Sequence, residues 1–121
     1  MTGSRLTMLA DALRLLAADT EAQLQYLTDL GLPQGVDELA LEYDAIAAAA
    51  QTMLESGELN EEQADCIQSL NARLESMSGE ANAHLWTPQA LRSAQQWQDI
   101  RILADKCLRL LLPESPRGMR V

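Results

Sequence analysis

Aromatic residues and histidine are scarce in this chain. Of its 121 residues, 3% are aromatic, none is phenylalanine and one is histidine. A core with so few aromatic side chains must be built from Leu, Ala, Met and Ile, which helices accommodate well. The single histidine excludes a di-iron bundle site, because such a site takes Glu-x-x-His motifs from facing helices.

Cysteine is also scarce. Cys66 and Cys107 are too few for a disulfide framework, and they lack the spacing of metal ligands. Both fall on apolar faces of predicted helices, where cysteine usually acts as a small, inert hydrophobic residue. We therefore expect free thiols in a reducing cytoplasm, with a disulfide between the two helices as the less favoured alternative. The glycines are scattered and form no phosphate-binding loop, so we expect no cofactor.

No apolar stretch is long enough to span a bilayer, and the N-terminal segment does not read as a secretion signal because Asp11 and Arg14 interrupt it. The formal net charge of −9 disfavours nucleic acid as a ligand and an anionic membrane as a surface. The charge instead favours solubility or a basic partner.

Helical periodicity runs through the chain, and no window alternates as a strand does. We predict helices from about Ser4 to Leu30, from Asp37 to Gly57, and from the Asn60 N-cap to Gly79, each ended by glycine. Thr87 and Pro88 predict a short helix to Arg92. Ser93 to Gln96 matches a capping box, which indicates a fresh start for a last helix that ends at Pro113.

The fold class predicted from this pattern is all-α, a compact bundle of four main helices plus one short helix, joined by short loops. Residues 1–112 would form a single domain, and 113–121 a disordered or extended C-terminal tail. The expected inner faces consist of the following residues: Leu6, Leu9, Leu13, Leu16, Leu24, Leu27, Leu39, Tyr43, Ile46, Ala50, Met53, Cys66, Ile67, Leu70, Leu74, Met77, Trp97, Ile100, Ala104, Cys107, Leu108 and Leu111.

The first predicted helix carries a second, weaker apolar stripe. It comprises Met8, Ala12, Leu15, Ala22 and Tyr26. Two stripes indicate a helix with two neighbours, which are either both within the chain or include a partner chain. A homodimeric regulatory or structural domain, with Met8, Leu15, Tyr26 and Leu41 at its seam, is therefore an alternative interpretation.

Two carboxylate motifs raise the question of a metal site. Glu58-x-x-Glu61 and Glu62-x-x-Asp65 resemble the paired acidic motifs with which helical nucleotide pyrophosphohydrolases hold magnesium. Such a site needs carboxylates from two facing helices, whereas Glu58 precedes the predicted helix and the others face outward. A magnesium-dependent hydrolase is consequently the weaker alternative. His84 has no Ser or Cys partner at a recognisable spacing, so no nucleophilic site is expected.

The strongest feature is an acidic block. Residues 15–72 contain twelve Asp or Glu residues and no Lys or Arg, and residues 19–80 contain fourteen acids and one base, Arg73. The acidic residues of this block have no basic neighbours with which to form intrahelical ion pairs, and they repel one another. The resulting modest loss of stability would be tolerated if the surface binds a basic partner. A solvated surface is the plain alternative.

These observations favour a small cytoplasmic interaction protein rather than an enzyme. The most concrete version is an immunity or antitoxin protein whose acidic surface covers the basic cleft of a nuclease-type toxin. Trp86, in the connector Glu80 to Trp86, either anchors that connector or serves as a hot spot for the partner. The expected partner-binding residues, which we place together on one outer surface, are Asp37, Asp44, Glu55, Glu58, Glu61, Glu62, Asp65 and Trp86.

Overall fold

The computed structural model describes residues 5–111, and this part of the chain is helical without a strand. A 3₁₀ helix, Glu80–Leu85, lies between the fifth and sixth α-helices. The α-helices are α1 (Arg5–Ala17), α2 (Thr20–Asp29), α3 (Asp37–Ala47), α4 (Ala50–Glu55), α5 (Glu61–Ser76), α6 (Pro88–Ser93) and α7 (Gln95–Leu111). The all-α class is confirmed, whereas the predicted count of four main helices and one short helix is wrong because two predicted helices are broken.

The first break separates α1 from α2 at Ala18 and Asp19. Asp19 has an extended backbone (φ −68°, ψ 165°), and its carboxylate accepts a hydrogen bond from the backbone N of Ala22 at 2.9 Å. Asp19 is therefore the N-cap of a new helix, and Glu21 lies in its first turn, where the helix dipole favours a negative charge.

The second break separates α3 from α4 within the alanine run. Ala48 and Ala49 keep right-handed backbone angles, and the backbone N of Ala49 donates to the carbonyl of Ile46 at 3.0 Å. This bond joins residues three apart, as in a 3₁₀ turn, so a single tight turn links the two helices and no side chain of residues 5–111 caps α4. The change of direction allows α4 to pack against α5.

The third predicted helix begins where expected and ends at Ser76, three residues before Gly79. Asn60 accepts from the backbone N of Gln63 at 2.8 Å, and the Gln63 side chain accepts from the backbone N of Asn60 at 2.7 Å, which completes the predicted capping box. Gly79 follows the helix with φ 97°, a conformation that favours glycine. Thr87 and Pro88 are the N-cap and first residue of α6, as predicted.

The start of α7 differs from the prediction in one respect. The helix is a fresh start, as expected, but Ser93 does not cap it, because its hydroxyl donates to the carbonyl of Gln89 within α6 at 3.0 Å. Instead α7 begins after Ala94, whose extended backbone separates the two helices and whose carbonyl accepts from the backbone N of Trp97 at 3.1 Å.

The core is formed mainly where α1 packs against α7 and α3, and where α5 packs against α7. The predicted inner faces are confirmed, since their members are buried or packed against the buried cluster. Tyr43 is fully buried, and its hydroxyl donates to the Asn71 side chain at 2.6 Å, which joins α3 to α5. Burial raises the pKa of Tyr43 well above its usual value, so the phenol stays neutral.

Gln23 is a fully buried polar side chain that joins four helices. Its Nε2 donates to the carbonyls of Leu15 and Leu16 at 3.0 Å each, in the last turn of α1, where the carbonyls have no donor four residues farther along the helix. The carbonyl of Leu15 also accepts from the backbone N of Ala18 at 3.3 Å. Its Oε1 accepts from Nε of Arg101 in α7 at 3.1 Å, and Arg101 also donates to the carbonyl of Leu91 in α6. Burial lowers the pKa of the Arg101 guanidinium, against the opposing effect of Asp19.

In residues 5–111, no helix combines the length and the apolar character that crossing a membrane requires. The predicted end of the last helix at Pro113 and the predicted tail 113–121 lie outside the described residues.

Candidate docking surface

Most basic side chains of the described residues are already occupied. Arg101 is directed into the interior, and Lys106 lines a surface groove. The other five form ion pairs, which are Arg5–Glu58, Arg14–Asp11, Arg73–Asp99, Arg92–Glu21 and Arg109–Asp105.

The acidic block keeps most of its charge unpaired. Of its twelve acidic residues, Glu21 and Glu58 form ion pairs, so ten have no ion pair within residues 5–111. Asp19 among these ten is used as an N-cap. The arginines of the last helices thus neutralise little of the block, and the remaining negative charge is displayed to solvent.

Glu58 is engaged within the fold. Its carboxylate accepts from the Ser56 hydroxyl at 2.7 Å and forms an ion pair with Arg5. The bond from Ser56, followed by the bond from Arg5, lowers the pKa of this carboxyl below its usual value. Of the seven acids among the eight predicted partner-binding residues, Glu58 is therefore the one that forms an ion pair within residues 5–111.

One groove runs between α3, α4 and α5, and we call it the acidic groove. It consists of two neighbouring cavities of about 310 Å³ and about 260 Å³, and Asn71 lines both of them. The ionisable residues that line it are Asp44 and Glu75, both acidic. Its full lining is Ala40, Asp44, Ala47, Ala48, Ala50, Gln51, Ala64, Ile67, Gln68, Asn71, Leu74, Glu75, Ser78 and Trp86.

On α3 an exposed leucine lies between two carboxylates, and one of these, Asp44, lines the acidic groove. Asp37, Leu41 and Asp44 follow one another at helical spacing, so they share one side of α3. Leu41 is 51% exposed, although the opposite side of the same helix supplies core residues. At the α4 end of the groove, Gln51 donates to the Glu55 carboxylate at 3.3 Å.

Trp86 closes the opposite end of the acidic groove. Its Nε1 donates to the carbonyl of Met77 at 2.7 Å. Its ring packs edge to face against the fully buried ring of Trp97, with 5.2 Å between the ring centroids. Trp86 thereby anchors the connector, and it also remains partly exposed on the groove wall beside Asp44 and Glu75. The two roles considered for it are compatible.

The remaining predicted residues lie elsewhere around α5. Glu62 and Asp65 line a second groove of about 410 Å³ between α5 and α7, together with Lys106. Glu61 is exposed in the first turn of α5. The structure thus brings Asp44 and Trp86 into one groove, and Glu62 and Asp65 into another, rather than placing all eight residues on a single surface.

The two cysteines are free and buried. Burial, together with the neighbouring thiol of Cys66, raises the pKa of the Cys107 thiol above its usual value. A thiol in this state is a poor nucleophile, because the thiolate is the reactive form. The alternative disulfide between the two helices is not formed in this structure.

The carboxylates considered for magnesium do not converge. Glu58 pairs with Arg5, whereas Glu62 and Asp65 line the second groove. Over residues 5–111, no cluster of three or more His, Cys, Asp or Glu residues is arranged to hold a metal ion. His84 is exposed in the 3₁₀ helix.

Sequence reasoning did not single out Glu75 or the groove itself. The signal that could have revealed the groove is the set of small residues on the sides of α3 and α5 that face each other, including Ala40, Ala47 and Ala64. Small residues leave space between two helices where larger ones would fill it.

Comparison of the chain with protein-family models, with curated proteins and with solved structures gives no match.

Proposed function

We propose that this protein is a small interaction module whose acidic helical surface binds a basic protein. In its most specific form, the module is an immunity- or antitoxin-type inhibitor that covers the active cleft of a nuclease-type toxin. The observation that carries the proposal is the set of ten acidic residues between Leu15 and Ala72 without an ion pair in the described structure.

The unpaired acids carry a cost in stability. Like charges on a compact domain repel one another and destabilise the folded state. Arginines are present in α6 and α7, yet of the acidic block they pair with Glu21 alone. A basic partner would supply the missing countercharges and would be attracted at a distance, which raises the association rate.

A nuclease is a fitting partner because its cleft must attract the phosphates of a nucleic acid. A cleft with that charge binds polyanions by releasing their counterions, and an acidic protein surface can occupy the same place. Rigid helices such as α3 and α5 hold their carboxylates at fixed spacing, which suits a competitive surface.

The proposal is tested with the product of the reading frame immediately upstream of this chain. We expect the two proteins to copurify as a 1:1 complex whose affinity falls steeply with ionic strength. We also expect the complex to lack the nucleic-acid cleavage that the upstream product shows alone. An upstream product that is basic and cleaves nucleic acid, but neither binds this chain nor is inhibited by it, would contradict the inhibitor proposal.

A homodimeric domain is the second candidate, because two of the four expected seam residues are exposed. Met8 is 49% and Leu41 is 51% exposed, whereas Leu15 and Tyr26 are partly buried. Sedimentation equilibrium separates the candidates. A dimer that dissociates in the variants Met8→Ser and Leu41→Ser supports the seam, and a monomer at all concentrations supports the partner-binding module.

A further inference from the structure

We propose that the acidic groove binds one amphipathic α-helix of the basic partner, with apolar residues toward Leu41 and Trp86 and lysines or arginines toward the carboxylates. This inference rests on the proposed function and specifies where and in what form the partner is recognised.

The shape of the acidic groove suits a helix. Two helices, α3 and α5, form its walls, and its floor contains small side chains such as Ala40, Ala47 and Ala64. Small residues let a third helix approach closely. Along α5 the lining extends from Ala64 to Glu75, a length of about 17 Å at 1.5 Å per residue, which a helix of about 14 residues can span.

The charge of the acidic groove selects the sign of its occupant. Its ionisable lining residues, Asp44 and Glu75, are both acidic, and Asp37 lies on the same side of α3. Neither carboxylate of the lining forms an ion pair within residues 5–111. An occupant without basic residues would leave these charges partly desolvated and unpaired, which is costly.

The preference for a basic occupant is specific to the acidic groove, because the second groove has a different charge. That groove contains Lys106 beside Glu62 and Asp65, so its charge is mixed. Farther along the same α5–α7 face, Arg73 is already paired with Asp99. A basic helix would meet repulsion from Lys106 there beside the attraction of Glu62 and Asp65, whereas the lining of the acidic groove contains no basic side chain.

Two exposed apolar side chains indicate that the bound helix also carries apolar residues. Leu41 is 51% exposed and precedes the lining residue Asp44 by three residues on the same side of α3, and the partly exposed Trp86 lies beside Asp44 in the lining. Helix-in-groove recognition commonly uses apolar anchors spaced three or four residues apart, with charged residues on both sides. The occupant is therefore amphipathic and not merely basic.

The test uses a fluorescent synthetic peptide of about 14 residues that forms an amphipathic helix of leucine and lysine. Its affinity is measured by fluorescence anisotropy for the wild-type protein and for two double variants. The test variant, Asp44→Lys/Glu75→Lys, reverses both acids of the groove lining. The control, Glu42→Lys/Asp65→Lys, changes the same two helices and the net charge by the same amount, but outside this groove.

We expect the test variant to bind the peptide at least about tenfold more weakly than the control. Leu41→Ser should also weaken binding, by about threefold or more, at unchanged net charge. Circular dichroism confirms that each variant is folded, and Asp44→Asn/Glu75→Gln replaces the test variant if charge reversal unfolds it.

Equal losses in the two double variants would overturn the inference, because they would show attraction by net charge alone. Failure of the peptide to bind would also overturn it, even if the upstream partner binds and the proposed function stands. Binding of the peptide at the acidic groove without any complex with the upstream protein would instead remove the inhibitor proposal while the groove specificity stands. If a second copy of this chain occupied the acidic groove, the peptide would bind only at protein concentrations low enough to dissociate the dimer. That result would also count against the inference.

Discussion

At the scale of single residues, Gln23 does the most to define how the N-terminal helices meet the C-terminal ones. One amide group satisfies two carbonyls at the end of α1 and accepts a hydrogen bond from Arg101. Every polar atom of this side chain is used, as a buried amide requires. The sequence offers no pattern for such a residue, because a glutamine between Ala22 and Leu24 reads as a surface position.

Replacing Gln23 should therefore destabilise the protein strongly. The variant Gln23→Ala removes the hydrogen bonds to the carbonyls of Leu15 and Leu16 and to the partly buried Arg101, so we expect the free energy of unfolding to fall by about 2–3 kcal/mol. Urea denaturation measures the change. Gln25→Ala is the control, since Gln25 is exposed and bonds only to Asp29 in the described structure, and it should change stability by less than about 0.5 kcal/mol. Equal effects would show that the network contributes nothing.

Glu58 makes the stability depend on pH in a defined direction. Its pKa is lowered in the folded protein, first by Ser56 and then by Arg5, so the folded state binds this proton less readily than the unfolded chain. The stabilisation is fully present above the ordinary value of 4.5 and is lost as the pH falls through the lower folded value. The urea midpoint of the wild type should thus exceed that of Glu58→Gln near neutral pH. The two midpoints should converge as the pH falls below the ordinary pKa of the carboxyl. Glu75→Gln is the control and should not lower the urea midpoint near neutral pH, because Glu75 forms no ion pair within residues 5–111 that the replacement could remove. A difference that grows on acidification would contradict this account.

At the scale of helices and their ends, the caps decide where each element begins. Asp19 and Asn60 each accept a hydrogen bond from a backbone N in the first turn of their helix. We expect Asp19→Ala and Asn60→Ala each to lower the free energy of unfolding by about 1 kcal/mol. Thermal unfolding followed by circular dichroism measures both. Asp29→Ala, at the other end of α2, is the control and should not destabilise, because a negative charge is unfavourable at a helix C-terminus. A neutral Asp19→Ala would contradict the assignment of this cap.

Helix existence was largely predictable from the sequence, whereas two of the boundaries were not. The caps at Asn60 and Thr87 carry familiar signals, and the structure has them in the expected places. The break at Asp19 was missed because the apolar period continues in phase from Leu16 to Leu24, which hides a new N-cap. The break at Ala48 and Ala49 has no local signal at all, since alanine has the highest helix propensity and packing of α4 on α5 overrides it.

The candidate site was predictable in its chemistry and not in its geometry. Counting charges along the chain identifies the acidic block, because sequence fixes charge directly. Which acids share a groove depends on how α5 is placed between α3 and α7, and that placement requires the tertiary structure. Asp44, Glu75 and Trp86 therefore meet although they are far apart in the chain, whereas Glu62 and Asp65 face Lys106.

At the scale of the whole molecule, the net charge of −9 is a source of self-repulsion that salt should relieve. We expect the free energy of unfolding to rise by roughly 0.5–1 kcal/mol between low and high sodium chloride concentration, because screening weakens repulsion among the unpaired acids. The variant Asp37→Asn/Asp44→Asn/Glu75→Gln should be more stable at low salt and less sensitive to salt. Stability that falls as salt is added would mean that the surface ion pairs outweigh the repulsion.

The most direct test of the central claim is to map the bound basic helix on the protein by nuclear magnetic resonance. The leucine–lysine peptide is titrated into ¹⁵N-labelled protein, and the backbone and indole signals are followed. The account predicts shifts concentrated at Ala40, Asp44, Asn71 and Glu75 and at the indole of Trp86, with Leu103 and Lys106 unchanged. Shifts centred on the groove between α5 and α7, or spread evenly over all acidic residues, would contradict it.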